Sequence, residues 1–299
     1  MSILVVGSIG LDNIKTPFGK VENILGGSAI HFSYSASFFS PVNVVGVIGE
    51  DFPDEHFNPL RERGVDLRGV ETKKGKTFRW SGSYDYDLNQ AHTLETQLNV
   101  LEEFNPNLLN EYEESKFVFL ANIDPELQLE VLKQIKDPYI VVGDTMNFWI
   151  EHKKDALMKT LKNLDILLMN DSEARELCGT HSLLEAAQKI LRLGPSTVII
   201  KKGEHGALMF TDSTHFAAPA YPLEEINDPT GAGDSFAGGF LGHLAQTKDF
   251  SEATIRRAVV FGSVMASYNV EDFGPKKLQK LTTQEIEKRY KEFEAITRF

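Results

Sequence analysis

The sequence predicts an α/β protein: a doubly wound, mostly parallel sheet flanked by helices, with a small β lid. Three observations predict it. Short apolar runs alternate with longer amphipathic stretches along most of the 299 residues. The runs are β-branched or aliphatic with little polar alternation, as in strands buried on both faces. One segment, Thr77–Tyr86, instead alternates aromatic or apolar with polar residues, as a half-exposed antiparallel strand does.

The strand-like runs are Ile3–Val6, Val42–Ile48, Phe117–Leu120, Tyr139–Val142, Ile166–Met169 and Val198–Lys201. Helical stretches fall between them at Ile30–Phe39, Glu126–Ile135, Lys153–Leu161 and Leu183–Leu193. Three more follow the last run, at Ser235–Ala245, Ser251–Tyr268 and Thr283–Ile296. An early extended piece around Leu11–Val21 pairs with Thr77–Tyr86 in the expected lid, whose segments lie at approximately 11–24 and 70–100. No repeat, low-complexity stretch or Pro/Gly/Ser linker divides the chain, so residues 1–299 read as one domain.

Composition narrows the function classes. Lys and Arg total 31 against 43 Asp and Glu, a net charge of −12. That disfavours a uniform electrostatic grip on nucleic acid or an anionic membrane, and leaves room for a local phosphate site. The single cysteine, Cys178, excludes an internal disulfide and a Cys-rich zinc site. No stretch of about 20 apolar residues offers a membrane span. The N-terminus lacks the basic-then-apolar pattern of a secretory signal. The expectation is a reduced, soluble, cytoplasmic protein with no nucleic acid or membrane partner.

Ligands of open parallel sheets bind beyond the carboxyl ends of the strands. Four such ends carry reactive types: Gly7–Asp12, Gly143–Asn147, Asn170–Glu173 and Lys202–Gly206. The densest signal is Asn227–Phe240. Small residues at Gly231, Ala232 and Gly233 admit a ligand to the backbone, and the apolar spacing after them starts a helix near Gly233. Free N–H groups and the positive dipole end at that start favour an anion. Asp234 would repel a phosphate but makes sense as a base that takes a substrate hydroxyl proton. An Asp N-cap after a glycine turn accounts for the same residues. Gly26-Gly27 before a helix reads either as a plain turn or as the wall of a substrate pocket.

Other chemistries lack their motifs. There is no Gly-x-x-x-x-Gly-Lys-Ser/Thr loop, and Gly7-x-x-Gly10 falls short of the dinucleotide fingerprint. The eight histidines form no zinc motif, and no Gly-x-Ser-x-Gly elbow is present.

Asp228-Pro229-Thr230-Gly231-Ala232-Gly233-Asp234 resembles the C-terminal signature of the ribokinase-like (PfkB) family of carbohydrate and nucleoside kinases. Gly26-Gly27, Gly46-x-x-Gly49-x-Asp51, Leu60-x-x-x-Gly64-Val65-Asp66, Asn170-x-x-Glu173 and Lys202-Gly203-x-x-Gly206 match its other motifs in order, so the resemblance runs from Val5 to Gly274. It implies a ribokinase-like fold and an ATP-dependent phosphotransferase acting on a hydroxyl of a small sugar-like substrate. Asp234 would be the base, and Gly231, Ala232 and Gly233 the anion hole. Asp12, Gly26, Gly27 and His31 would contact the substrate. Asn170, Lys202, Gly203 and Gly206 would line the nucleotide site. Glu173 would hold Mg2+ through water, and Asp228 and Thr230 would suit a monovalent cation such as K+. The lid would exclude water on closing.

The chain departs from the family at three places. Pro229 replaces the usual Thr. Asp144-Thr145-Met146-Asn147-Phe148 lacks the Pro and Arg of Asp-Pro-Asn-x-Arg, and His31 stands where sugar kinases often have Asn. Two alternatives stay open: an adenosine-like nucleoside kinase, with Phe32, Phe38, Phe78, Trp80 and Tyr84 as candidate walls for a base, and a catalytically silent sugar or nucleotide sensor. The exposed edge expected of the lid makes a homodimer through Thr77–Tyr86 a further expectation.

Overall fold

The alternating pattern folds into two sheets in the computed structural model, which describes residues 1–298. The strands are β1 (Ile3–Val6), β2 (Gly10–Thr16), β3 (Gly19–Gly26), β4 (Val42–Gly49), β5 (Asp66–Lys73), β6 (Phe78–Tyr84) and β7 (Ala91–Gln97). They continue with β8 (Phe117–Leu120), β9 (Ile140–Asp144), β10 (Ile166–Asn170), β11 (Thr197–Lys201), β12 (Ala207–Thr211) and β13 (His215–Ala218). The large sheet has the order β13-β12-β11-β10-β9-β8-β1-β4-β5. Its strands from β5 to β11 are parallel; at one edge β12 pairs antiparallel with β11, and β13 antiparallel with β12.

The continuous apolar runs are explained by burial on two faces. Ile3 and Val5 of β1 join one core cluster while Leu4 and Val6 join the other, and all four are fully buried. The first cluster packs under helices Ser28–Ala36, Ala232–Thr247, Glu252–Asn269 and Thr283–Ile296. The second packs under Pro125–Leu132, Lys154–Leu161, Asp171–Cys178 and Leu183–Leu191. The Asp171–Cys178 helix and the strands β5, β12 and β13 fall outside the elements expected from sequence. β5 is a charged edge strand, the composition that guards an open sheet edge against unwanted pairing.

The lid is a four-stranded sheet, β3-β2-β6-β7. The expected single piece at Leu11–Val21 is in fact a hairpin, β2 and β3, turning at Pro17-Phe18. Residues 70–73 belong to β5 in the large sheet rather than to the lid. β7 carries no apolar alternation because it is exposed almost throughout. Asp51 anchors the lid to the body. Its Oδ1 accepts from the Thr77 N–H and hydroxyl at 2.7 Å each, and its Oδ2 accepts from Arg79 at 2.8 Å. No described helix is long and apolar enough to cross a membrane.

Candidate active site

The site forms where β1, β9, β10 and β11 end and the Ala232–Thr247 helix begins. Gly231 caps that helix with φ +74°, and Asp234 is its third residue, so the N-cap reading of Asp234 does not hold. Glycine is required at 231 twice over: the backbone is left-handed, and a Cβ there would overlap the His31 ring. Asp228, fully buried, ties down the preceding turn. Its Oδ1 accepts from the Thr230 N–H and its Oδ2 from the Gly274 N–H, both at 2.9 Å.

Asn269 braces the same turn from the Glu252–Asn269 helix. Its Nδ2 donates to the Thr230 carbonyl at 2.7 Å. Its Oδ1 accepts from the Ser235 hydroxyl at 3.0 Å and from His31 Nδ1 at 2.9 Å. That orientation places the proton of neutral His31 on Nδ1. Nε2 is then a buried acceptor with no partner among the described residues. Burial holds the His31 pKa down at about 4, so the ring stays neutral.

Two of the three expected anion-hole residues have free donors. The Ala232 N–H is used by the Pro229 carbonyl at 3.2 Å. The Gly231 and Gly233 N–H groups have no acceptor among the described residues. Beside them the Asp234 pKa is pushed up to about 7, first by burial and then by Asp144, against the pull of Lys201 and its own N–H. Asp12, nearly buried on β2, is pushed up to about 8 by burial and by the charges of Asp228 and Asp234. Gly26 makes room for it, since a Cβ at 26 would overlap the Asp12 carboxylate. Gly27, at φ +98°, lets the chain turn against the Ser8 carbonyl into the His31 helix.

Asn170 and Glu173 form a capping box on the Asp171–Cys178 helix. The Asn170 N–H and Nδ2 donate to Glu173 at 2.7 and 2.6 Å, and the Glu173 N–H donates back to Asn170 Oδ1 at 2.8 Å. The first-turn reading of Glu173 is thus realised, and its carboxyl still sits in the site: burial and Asp144 push its pKa to about 8. Among the described residues no three His, Cys, Asp or Glu side chains form a metal cage. The buried carboxyls of Glu173 and Asp144 suit a hard cation reached through water and held mainly by nucleotide phosphates, as Mg2+ is. Bound there, Mg2+ would neutralise phosphate charge.

Lys202, Gly203 and Gly206 form a tight turn closed by the Lys202 N–H on the Gly206 carbonyl at 2.7 Å, with both glycines at positive φ. The lysine whose ammonium lies against Gly233 is Lys201, passed over in the sequence in favour of its neighbour. Its Nζ is 2.8 Å from Asp144 Oδ2. Asn269 was also missed, lying one residue past the expected helical stretch Ser251–Tyr268. The lid reaches both sides of the cleft. Tyr84 hydroxyl meets Thr230 Oγ1 at 3.0 Å, and Asn89 Nδ2 donates to Glu204 at 3.3 Å beside Gly203.

A helix start with free N–H groups, a half-buried carboxyl at its third residue and a lid sheet that touches the same turn fit a phosphotransferase of the ribokinase fold. The chain belongs to the family described as "pfkB family carbohydrate kinase", whose profile matches residues 3–280. It is 30% identical to a cytidine kinase of Thermococcus kodakarensis over 84% of this chain and 91% of that one. In structure it resembles a Burkholderia thailandensis nucleoside kinase solved with inosine, with TM-score 0.77, 21% identity and coverage of 97% and 98%. An E. coli protein assigned as a Ribokinase II, solved with ATP and Mg2+, gives TM-score 0.80 at 19% identity, covering 97% and 99%. This chain is an ATP-dependent kinase of the ribokinase family, acting on nucleosides or sugars.

Proposed function

We propose that this kinase transfers the γ-phosphoryl group of ATP to a hydroxyl of a nucleoside, with Asp234 as base. The observation that carries the nucleoside reading is the aromatic face of β6. Phe78 and Trp80 pair in parallel register with Gly10 and Asp12, which sets two half-buried rings on the same face as the Asp12 carboxyl. A nucleobase needs a flat apolar wall, and a free sugar does not. Phe32 and Phe38 do not contribute: Phe32 is buried and stacked on Phe119 at 4.4 Å, and Phe38 lies under Arg63 at 4.1 Å. The cytidine kinase and the inosine complex support the same preference over the sugar-like acceptor.

Asp234, with a pKa near working pH, takes the hydroxyl proton as the acceptor oxygen attacks phosphorus. The Gly231 and Gly233 N–H groups, shaped by Ala232 between them, receive charge on the transferring group. Asp12, Gly26 and Gly27 hold the ribose, with His31 Nε2 as an acceptor for one of its hydroxyls. Asn170, Lys202, Gly203 and Gly206 line the nucleotide side, and Glu173 faces Mg2+ through water. The oxygens of Asp228 and the Thr230 carbonyl already have protein partners, so a K+ role there is read by the assay itself. Thr77–Tyr86 is not the open edge expected of it, since β6 is paired on both sides by β2 and β7; a second copy would instead meet the exposed β7 edge, and a monomer in sedimentation at micromolar concentration counts against it.

The test is ADP formation with ATP and Mg2+, with and without K+, against nucleosides and free pentoses. Nucleosides are expected to exceed ribose in kcat/KM by roughly tenfold or more, about 1.4 kcal/mol of added contact. Equal or better turnover of a free sugar overturns the nucleoside reading.

A further inference from the structure

We propose that Lys201 is a catalytic residue whose ammonium leaves Asp144 to bind the transferring phosphoryl group beside the Gly233 N–H. The inference rests on the kinase reading above and assigns a cation that none of the sequence motifs supplied.

Lys201 ends β11 and Asp144 ends β9, so their ion pair closes over the end of β10 between them. The side chains are only 16% and 6% exposed. Lys201 Nζ lies 3.0 Å from where a Cβ on Gly233 would stand, so the ammonium rests against the second residue of the Ala232–Thr247 helix. It is the cation of a cluster whose carboxyls come from three other elements: Asp144 on β9, Glu173 on the Asp171–Cys178 helix and Asp234 on the Ala232–Thr247 helix. Burial opposes its charge, and those carboxyls outweigh burial.

The placement is hard to explain as scaffolding. A buried ion pair is weak evidence of stabilisation, because well-packed apolar residues often replace it without loss. A cation against a helix N-terminus also faces the positive end of the helix dipole. Both charges point at one place, so an anion arriving there meets the ammonium and the helix start together. The phosphoryl group in flight is such an anion. In the step, the bond from the γ-phosphorus to the β,γ-bridging oxygen breaks and its electron pair leaves with ADP. The acceptor oxygen bonds to phosphorus, its proton passes to Asp234, and Lys201 stays protonated throughout.

The experiment compares Lys201→Met, Lys201→Arg and the double variant Lys201→Met/Asp144→Leu, which leaves no carboxylate unpaired at that position. Lys201→Met is expected to lower kcat by roughly 10²–10³, the loss typical of one oxyanion donor, while KM for ATP moves less than about fivefold. Lys201→Arg should recover at least about tenfold. The acid limb of the kcat/KM profile, near pH 7 in the wild type, should move up in Lys201→Met, since the ammonium holds Asp234 down. The double variant, folded by circular dichroism, should stay as slow as Lys201→Met. A kcat within about threefold of wild type in Lys201→Met, or recovery in the double variant, overturns the proposal. A wild type that forms no ADP with any acceptor instead overturns the kinase reading, and the proposal with it.

Discussion

Asn269→Leu is the sharpest perturbation of the site that leaves its reacting groups in place. Asn269 is fully buried, and its side chain closes three hydrogen bonds of 2.7 to 3.0 Å, to Thr230, Ser235 and His31. Leucine has similar bulk and no polar atom, so the substitution orphans the Thr230 carbonyl, the Ser235 hydroxyl and the His31 Nδ1–H. A buried polar group left unpaired costs about 1–3 kcal/mol. The Ser235 hydroxyl can turn to a carbonyl of its own helix, which leaves two full orphans and a loss of about 4 kcal/mol at the centre of the range. In a chain of 299 residues that lowers Tm by roughly 6 °C. The assay is urea and thermal unfolding of both proteins without ligand, followed by turnover below the melting range. Turnover should fall as well, because the turn that sets the Gly231 and Gly233 N–H groups loses its brace. A destabilisation under about 1 kcal/mol, with kcat unchanged, would refute the bracing role.

Tyr84→Phe removes one neutral hydrogen bond between lid and turn. It should raise KM for the acceptor about fivefold, the worth of about 1 kcal/mol, with little change in kcat; steady-state kinetics would contradict it by showing a hundredfold fall in kcat at constant KM. The unliganded protein should lose stability as pH rises from 6 to 9. Asp12 and Asp234 are raised to about 8 and about 7 in the fold from an ordinary value of 3.8. The stability they contribute is therefore full below about pH 4 and lost as pH climbs through those folded values. Urea midpoints across that window should fall less steeply in Asp12→Asn, and a slope identical to wild type would count against burial as the cause.

The fold was legible where both faces of a strand are buried. Ile3–Val6 and Phe117–Leu120 stand where their apolar runs placed them. β5 and β7 escaped because an edge strand needs no apolar face, and β7 is exposed almost throughout. The β2–β3 hairpin read as one piece although Thr16-Pro17-Phe18-Gly19 carries the Pro and Gly of a tight turn; the signal was there and was passed over. In the site, the fold brings several motif residues together: His31 lies against Gly231, Asp12 against Gly26 and near Asp234, and Asp144 near both Asp234 and Glu173. Lys201 and Asn269 were not legible. Nothing in Lys201-Lys202-Gly203 tells which amine turns inward, since that depends on where β9 and the Ala232–Thr247 helix end in space. Asn269 is one polar residue at the end of an apolar helical stretch, and its partners lie 34 to 238 positions away in the chain.

The central claim is that Asp234 is the base of an ATP-dependent transfer to a nucleoside hydroxyl. It is tested most directly by single-turnover ADP formation with the best nucleoside, comparing wild type with Asp234→Asn while ATP and nucleoside binding are measured by calorimetry. The account predicts a rate lower by roughly 10³ or more, within the range of a lost general base, with both dissociation constants within a few fold. An Asp234→Asn protein that turns over near the wild-type rate would contradict it.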